Sequence, residues 1–189
     1  MSRDESGAGF RITDVDAQTF DQMPPPAMEG ATCQDCTYWQ GQVDGDRAAL
    51  RRALFAQGTL RGKLALDLDG TAVGFVQYGE LEAFPTFAKL RGGFSVQPSE
   101  DAWVITCLMT HRSARGRGVA KALLAAVMAQ ARREGRAVEA AGMEQADMEM
   151  VSVGPARIYR QAGFRELGAF EDEYGRNVLL RWPPGAQAS

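Results

Sequence analysis

The stretch from Trp103 to Arg133 constrains the fold more than any other, because it reads as a buried strand, a glycine-arginine turn and an amphipathic helix in direct succession. Trp103, Val104, Ile105, Thr106, Cys107, Leu108, Met109 and Thr110 form a nearly continuous run of apolar residues and good strand formers. A strand without polar alternation has to be covered on both faces, so the run predicts a central strand. After His111-Arg112-Ser113-Ala114 comes Arg115-Gly116-Arg117-Gly118-Val119-Ala120, and then Val119, Leu123, Leu124, Val127, Met128 and Ala131 recur at the spacing of one helix face. Arg132 and Arg133 in the last turn, with Gly135 just beyond, suit a helix C-terminus.

The turn carries chemistry of its own. A helix N-terminus leaves backbone N–H groups unpaired and bears roughly half a positive charge. Glycines at 116 and 118 remove the Cβ atoms that would hold an anion at a distance, Arg115 and Arg117 add charge, and Lys121 lies one turn into the helix. Phosphate is the guest this predicts. The spacings of the nucleotide P-loop and of the dinucleotide fingerprint are both absent. The plainer alternative is a tight strand-to-helix connection with surface arginines.

Arg115-Gly116-Arg117-Gly118-Val119-Ala120 is similar to the [Q/R]-x-x-G-x-[G/A] signature of the GNAT superfamily of acyl-CoA-dependent N-acetyltransferases. Ile158-Tyr159-Arg160-Gln161-Ala162-Gly163-Phe164, about 40 residues downstream, resembles that family's FYxxxGF segment. Two motifs in this order and spacing are far more specific than either alone. The resemblance covers roughly residues 9 to 182. It implies an α/β fold of the α+β type: a single domain with a mixed, mostly antiparallel sheet of about six to seven strands, splayed open after the central strand and flanked by about four helices. It also implies transfer of an acetyl group from acetyl-CoA to an amine of a small molecule or peptide, by direct attack in a ternary complex. The cofactor-binding residues it implies are Leu108, Met109 and Thr110, whose backbone would line the pantetheine, and Arg115, Gly116, Arg117, Gly118, Val119, Ala120 and Lys121 around the pyrophosphate. By match to the family motif, Tyr159 is the candidate general acid for the departing thiolate.

A general base is harder to assign. Glu139 is a carboxylate inside the otherwise apolar strand Arg136–Ala141 and is the candidate, set against an outward-pointing, solvated glutamate. Glu80 and Glu82 follow a predicted hairpin and could approach the same cleft. His111 falls at the phosphate end of the strand, and Cys107 reads as a core cysteine.

The 189 residues suit one domain over 9–182, with a frayed segment at 1–8 and a flexible tail at 183–189. A net charge of −3 argues against nucleic acid as a partner, although arginines gather between 112 and 136. No run is long and apolar enough to span a membrane and no leader is visible, so the expected location is cytoplasmic. A homodimer is left open, and the sequence does not name the acceptor.

Along the rest of the chain, Phe10 and Ile12 alternate as a first strand, and Asp14 or Asp16 caps a short helix through Phe20 to Met23. Pro24 to Thr32 reads as a loop. Cys33-Gln34-Asp35-Cys36-Thr37-Tyr38-Trp39 can bind zinc, cycle as a dithiol or simply pack. Zinc needs four ligands, and only Cys107 and His111 remain as thiol or imidazole, so no metal is expected and a reduced loop with packed Tyr38 and Trp39 is preferred. A subset of GNAT proteins has a similar Cys-rich, Trp-containing segment. Asp46 caps a helix with apolar positions Ala49, Leu50, Ala53, Leu54 and Phe55. Lys63–Leu68 and Thr71–Tyr78 form a hairpin around Asp69-Gly70, predicted as a two-residue type I′ turn. Gly79 to Pro98 reads as a long irregular connection, and Gly142 to Val153 shows no clear periodicity. Pro155 opens the helix of Tyr159, and Phe164–Phe170 with Asn177–Trp182 make a last strand pair. Two other functions are weighed: a non-catalytic acyl-CoA sensor on the same fold, and a thiol-redox or zinc module centred on Cys33 and Cys36.

Overall fold

The computed structural model describes residues 9–24, 32–41, 43–97, 99, 101–144 and 153–183. Strand β1 (Phe10–Asp14) leads through short 3-10 turns to helix α1 (Arg47–Ala56), the hairpin of β2 (Arg61–Asp67) and β3 (Ala72–Glu80), and helix α2 (Pro85–Gly92). The central strand β4 (Ala102–Thr110) feeds α3 (Val119–Arg133), followed by β5 (Ala137–Met143), α4 (Ala156–Gln161), β6 (Arg165–Asp172) and β7 (Gly175–Trp182). The seven strands form one sheet in the order β1-β2-β3-β4-β5-β7-β6, antiparallel at every junction except β4–β5.

That exception shapes the molecule. β4 and β5 pair only from Ala102 to Ile105 against Ala137 to Ala140, although both strands run on beyond. Just past Ile105 the β3–β4 register slips: Tyr78 faces Ile105 but Gln77 faces Cys107, so Thr106 is an extra residue on β4. A bulge bends and twists its strand, and this one falls where β4 leaves β5. Thr106 is fully buried, and its hydroxyl accepts from Gln77 Nε2 at 2.9 Å, which pins the bulge to β3.

Each face of the sheet has its own core. α3 lays Val119, Leu123, Leu124, Val127 and Ala131 against Ile105, Leu108 and Val138, joined by Tyr159 of α4. The opposite core packs Phe20, Trp39, Phe55, Phe75, Phe87 and Val104 beneath α1 and α2. The start of α4 presses on β5 at Gly142, where a Cβ would lie 2.8 Å from Ala156 Cα. Only glycine permits so close an approach, and it sets the depth at which Tyr159 enters the core.

Several expectations are corrected. The long connection after β3 contains α2, announced by Pro85 at its first position and by Phe87 and Arg91 one turn apart on its buried side. The hairpin turn is not type I′, which needs positive φ at both central residues, because among the described residues, Asp69 included, no non-glycine has positive φ. Gly70 N–H instead donates to Asp67 C=O at 3.1 Å, with Gly70 alone at φ 88°. Asp46 does cap α1, accepting from Ala49 N–H at 2.9 Å, but the buried face of that helix is carried by Arg51 and Phe55 while Ala49 and Ala53 are exposed. Asp16 stabilises only a 3-10 turn at Phe20–Gln22. Trp39 is buried edge-on against Phe87, whereas Tyr38 is 62% exposed. The expected loop Pro24–Thr32 and the stretch Gly142–Val153 fall largely, and the two terminal segments almost wholly, outside the described residues.

Candidate functional site

Beyond Ile105 the edge of β4 that faces β5 has no strand partner among the described residues, so the backbone of Leu108, Met109 and Thr110 borders an open wedge in the sheet. The N-terminus of α3 stands at the end of this strand. Gly118, at φ 83°, caps the helix with no side-chain hydrogen bond, and the first internal bond runs from Ala122 N–H to Gly118 C=O at 3.0 Å. The N–H groups of Val119, Ala120 and Lys121 therefore face out of the helix end. A Cβ at Gly116 or Gly118 would meet nothing within 4 Å, so the space before these amides is open. Arg115 holds a buried Nε without a hydrogen-bond partner, among the described residues. Arg117 is committed elsewhere, donating to Gly9 C=O at 3.0 Å. The cradle of outward amides, open space and an arginine Nε without a partner among the described residues fits a diphosphate, and the bare β4 edge fits an extended amide chain such as pantetheine.

Tyr159 meets the wedge from the α4 side. Its hydroxyl is fully buried and donates to Val153 C=O at 2.6 Å. The Tyr159 hydroxyl and Leu108 Cδ2 lie 3.7 and 3.9 Å from the point where a Cβ would stand on Gly154, which places the hydroxyl beside the unpaired part of β4. Burial pushes the phenol well above its ordinary value, so it stays protonated at neutral pH.

Glu139 is inside, not outside, but it is not free. It is 1% exposed and lies between two arginines. Arg91 of α2 donates from Nε to Glu139 Oε2 at 2.8 Å, and Arg181 of β7 donates from Nε to Oε1 at 3.0 Å. Arg91 also reaches Val96 C=O at 2.6 Å and Gln97 C=O at 2.8 Å. With both oxygens engaged by guanidinium groups, the carboxylate does not fit the role of a free base. Glu80 accepts from Trp103 Nε1 at 3.1 Å and pairs with Arg136, at the paired end of β4, and Glu82 is solvent-exposed. His111 turns its Nδ1 to Ser113 Oγ at 2.8 Å beyond the end of β4. A groove of about 540 Å³ between Asp101, Arg132, Arg136 and Trp182 also opens at that paired end of the sheet, away from the wedge.

The three cysteines are all free, and they gather around a residue that the sequence did not single out. Arg51 of α1 is 2% exposed, its guanidinium lies over the Phe55 ring and donates from Nη1 to Gln40 Oε1 at 3.2 Å, and burial lowers its pKa from the ordinary value. Burial pushes the Cys33 thiol up to about 12 and that of Cys107 higher still, so both are neutral at physiological pH. Among the described residues no group of three His, Cys, Asp or Glu side chains is arranged to hold a metal ion. The clue to Arg51 in the sequence is its position one turn before Phe55, on a helix too poor in large apolar residues to fill its buried side without a long aliphatic stem.

Residues 30–152 match the sequence profile of the acetyltransferase (GNAT) family. Among curated proteins none matches the chain. Solved structures of similar shape include a GCN5-related N-acetyltransferase from Kribbella flavida, 21% identical over 92% of this chain and 96% of its own, with a TM-score of 0.57. A histone acetyltransferase HPA2 and related acetyltransferase from Corynebacterium glutamicum is 20% identical over 96% and 99%, with a TM-score of 0.59. A ribosomal-protein-alanine N-acetyltransferase from Brucella melitensis is 16% identical over 90% and 98%, with a TM-score of 0.57. At these identities the likeness concerns the fold.

Proposed function

Since this chain belongs to the acetyltransferase (GNAT) family, we propose that it transfers an acetyl group from acetyl-CoA to an amine of a small molecule or peptide by direct attack. One observation carries the reading: the bare edge of β4 beyond Ile105, the open N-terminus of α3 and the buried hydroxyl of Tyr159 meet at one wedge in the sheet. Acetyl-CoA supplies the activated acyl group as a thioester. Gly116, Gly118, Val119, Ala120 and Lys121 hold the pyrophosphate through backbone N–H groups, with Arg115 adding charge and Arg117 bracing the turn against Gly9. Leu108, Met109 and Thr110 bind the pantetheine amides through the unpaired strand edge.

At the acyl carbon a C–N bond forms and the C–S bond breaks. The attacking amine gives its proton to water, and the leaving sulfur takes a proton from the Tyr159 hydroxyl, which water then restores. Tyr159 is placed for this because its hydroxyl lies beside the unpaired part of β4 and its hydrogen bond to the Val153 carbonyl can be exchanged for one to the sulfur. Glu139 acts at one remove in this reading: it holds α2 and β7 together next to the last β4–β5 pair. The family's acceptors, a ribosomal-protein alanine among them, are too varied for the fold alone to choose one.

The test is a melting-temperature series with acetyl-CoA, joined to free-thiol release over a panel of amines. Acetyl-CoA raises the melting temperature of the wild type by mass action, and Gly118→Val and Arg115→Ala reduce or abolish the rise. An unchanged shift in both variants removes the basis of the assignment.

A further inference from the structure

The face of β4 opposite α3 holds a cation whose partner is missing. Arg51 is buried to the same extent as the core phenylalanines, yet among the described residues its one side-chain hydrogen bond is from Nη1 to the neutral Gln40 Oε1 at 3.2 Å. Its Nε has no partner, and neither has Gln40 Nε2 beside it, among the described residues. Two adjacent buried groups therefore present donors with nothing to accept them. An arginine keeps its charge at any physiological pH, and a buried charge without a counter-ion is costly.

The neighbours do not remove the deficit. The Cys33 and Cys107 thiols are neutral, for burial holds both well above the ordinary thiol range. Asp35, the carboxylate that Arg51 senses, is engaged by Thr32 N–H at 2.9 Å and lies 4.0 Å from Arg47. The ring of Phe55, 5.5 Å from the guanidinium carbon, offers only a weak π-face.

The location gives the missing anion a meaning. Cys107 stands on β4 just past the bulge and packs into the core beneath α1 and α2 that also holds Phe55, the ring beside the Arg51 guanidinium, whereas Tyr159 belongs to the core on the α3 face. The unsatisfied donors thus sit on the α1 face of the wedge, opposite α3 and α4.

Resting on the acetyl-transfer reading, we propose that Arg51 and Gln40 anchor the carboxylate of the acceptor, so that the substrate is an amine that also carries a carboxylate, as a free amino acid or a short peptide does. A guanidinium and a side-chain amide present the planar pair of donors that a carboxylate accepts. Arg51 is a specificity residue here and does not touch the reacting carbon.

The test uses L-amino acids and dipeptides, each beside its own C-terminal amide, in the free-thiol assay and in a melting series with coenzyme A present. The wild type is expected to favour the carboxylate member over its amide by roughly 30-fold or more in kcat/KM, the lower end for a buried charge pair. Arg51→Met should erase that preference by raising KM for the carboxylate and leaving the amide unchanged, and Arg51→Lys should restore part of it. Preference confined to amino acids or to dipeptides identifies the source of the carboxylate. Equal use of acid and amide by the wild type, a preference that survives Arg51→Met, or stabilisation by neither compound overturns the proposal. In each of those cases an intact acetyl-CoA melting shift leaves the acetyl-transfer reading standing, whereas loss of that shift in the wild type strikes the reading beneath.

Discussion

Two arginines under the same face of the sheet are buried almost equally, Arg91 at 3% exposure and Arg51 at 2%, and they live in opposite electrostatic worlds. Arg91 is surrounded: Glu139 accepts from its Nε and Nη2, the Val96 and Gln97 carbonyls accept from its Nη1 and Nη2, and Arg181 completes the carboxylate from the far side. Arg51 has one neutral amide oxygen and an orphaned Nε. Both charges are equally expensive to desolvate. In the first case the fold itself provides the compensation, next to the last β4–β5 pair, which reads as structure. In the second the compensation is absent among the described residues, on the side of the wedge to which the proposal assigns the acceptor.

The sharpest way to break this contrast is at Glu139. Glu139→Ala leaves Arg91 and Arg181 facing each other without a counter-ion, and should lower unfolding free energy by about 3 to 5 kcal/mol. Urea denaturation checks it; a loss under ~1 kcal/mol would mean that the web is dispensable.

The next effect concerns chemistry alone. Tyr159→Phe keeps the ring and its edge contact with Phe164 but deletes the proton donor, and kcat should fall by about one to three orders of magnitude. KM and the acetyl-CoA melting shift should barely move, the pattern of an interaction made in the transition state. Wild-type turnover would make Tyr159 a packing residue whose hydroxyl serves Val153.

A smaller effect probes the thiols around Arg51. Cys36 is exposed while Cys33 is buried and its thiol is pushed up to about 12. At pH 8 iodoacetamide should modify Cys36 first, and the Cys33 rate should rise with pH toward 12, since the thiolate is the nucleophile. The sign for stability follows. The folded state holds the Cys33 proton more tightly than the unfolded chain, so this contribution is present below the ordinary thiol value of 9.0 and is lost between there and about 12. Equal reaction at Cys33 and Cys36 would show that the thiol cluster is open to solvent.

The division between what the sequence disclosed and what it hid follows the range of the interactions. The apolar run at β4, the Asp46 cap and the period of α3 are local patterns, and each element forms where its pattern lies. The open, glycine-flanked N-terminus of α3 was equally legible, because the helix start and its glycines sit within a few residues of one another. α2 was missed because its apolar face is short and interrupted by an arginine that is itself buried. The turn type at Gly70 was misread because Asp-Gly fits both kinds of hairpin connection and the register decides between them. Glu139 read as a base because its partners come from 48 and 42 residues away along the chain. Arg51 stayed hidden for a related reason: a residue type usual at the surface is buried only when the sheet, α1 and the neighbouring loop close around it.

The contrast between the two arginines is tested most directly by equilibrium urea unfolding of Arg91→Met and Arg51→Met under the same conditions, without substrate. Arg91→Met should lose about 3 kcal/mol or more, because it strips a partner from a satisfied buried carboxylate. Arg51→Met should stay within ~1 kcal/mol of the wild type or gain stability, because it replaces an uncompensated buried charge with an apolar chain of similar length. Equal, large losses in the two variants would contradict the account, since Arg51 would then be as much a part of the scaffold as Arg91.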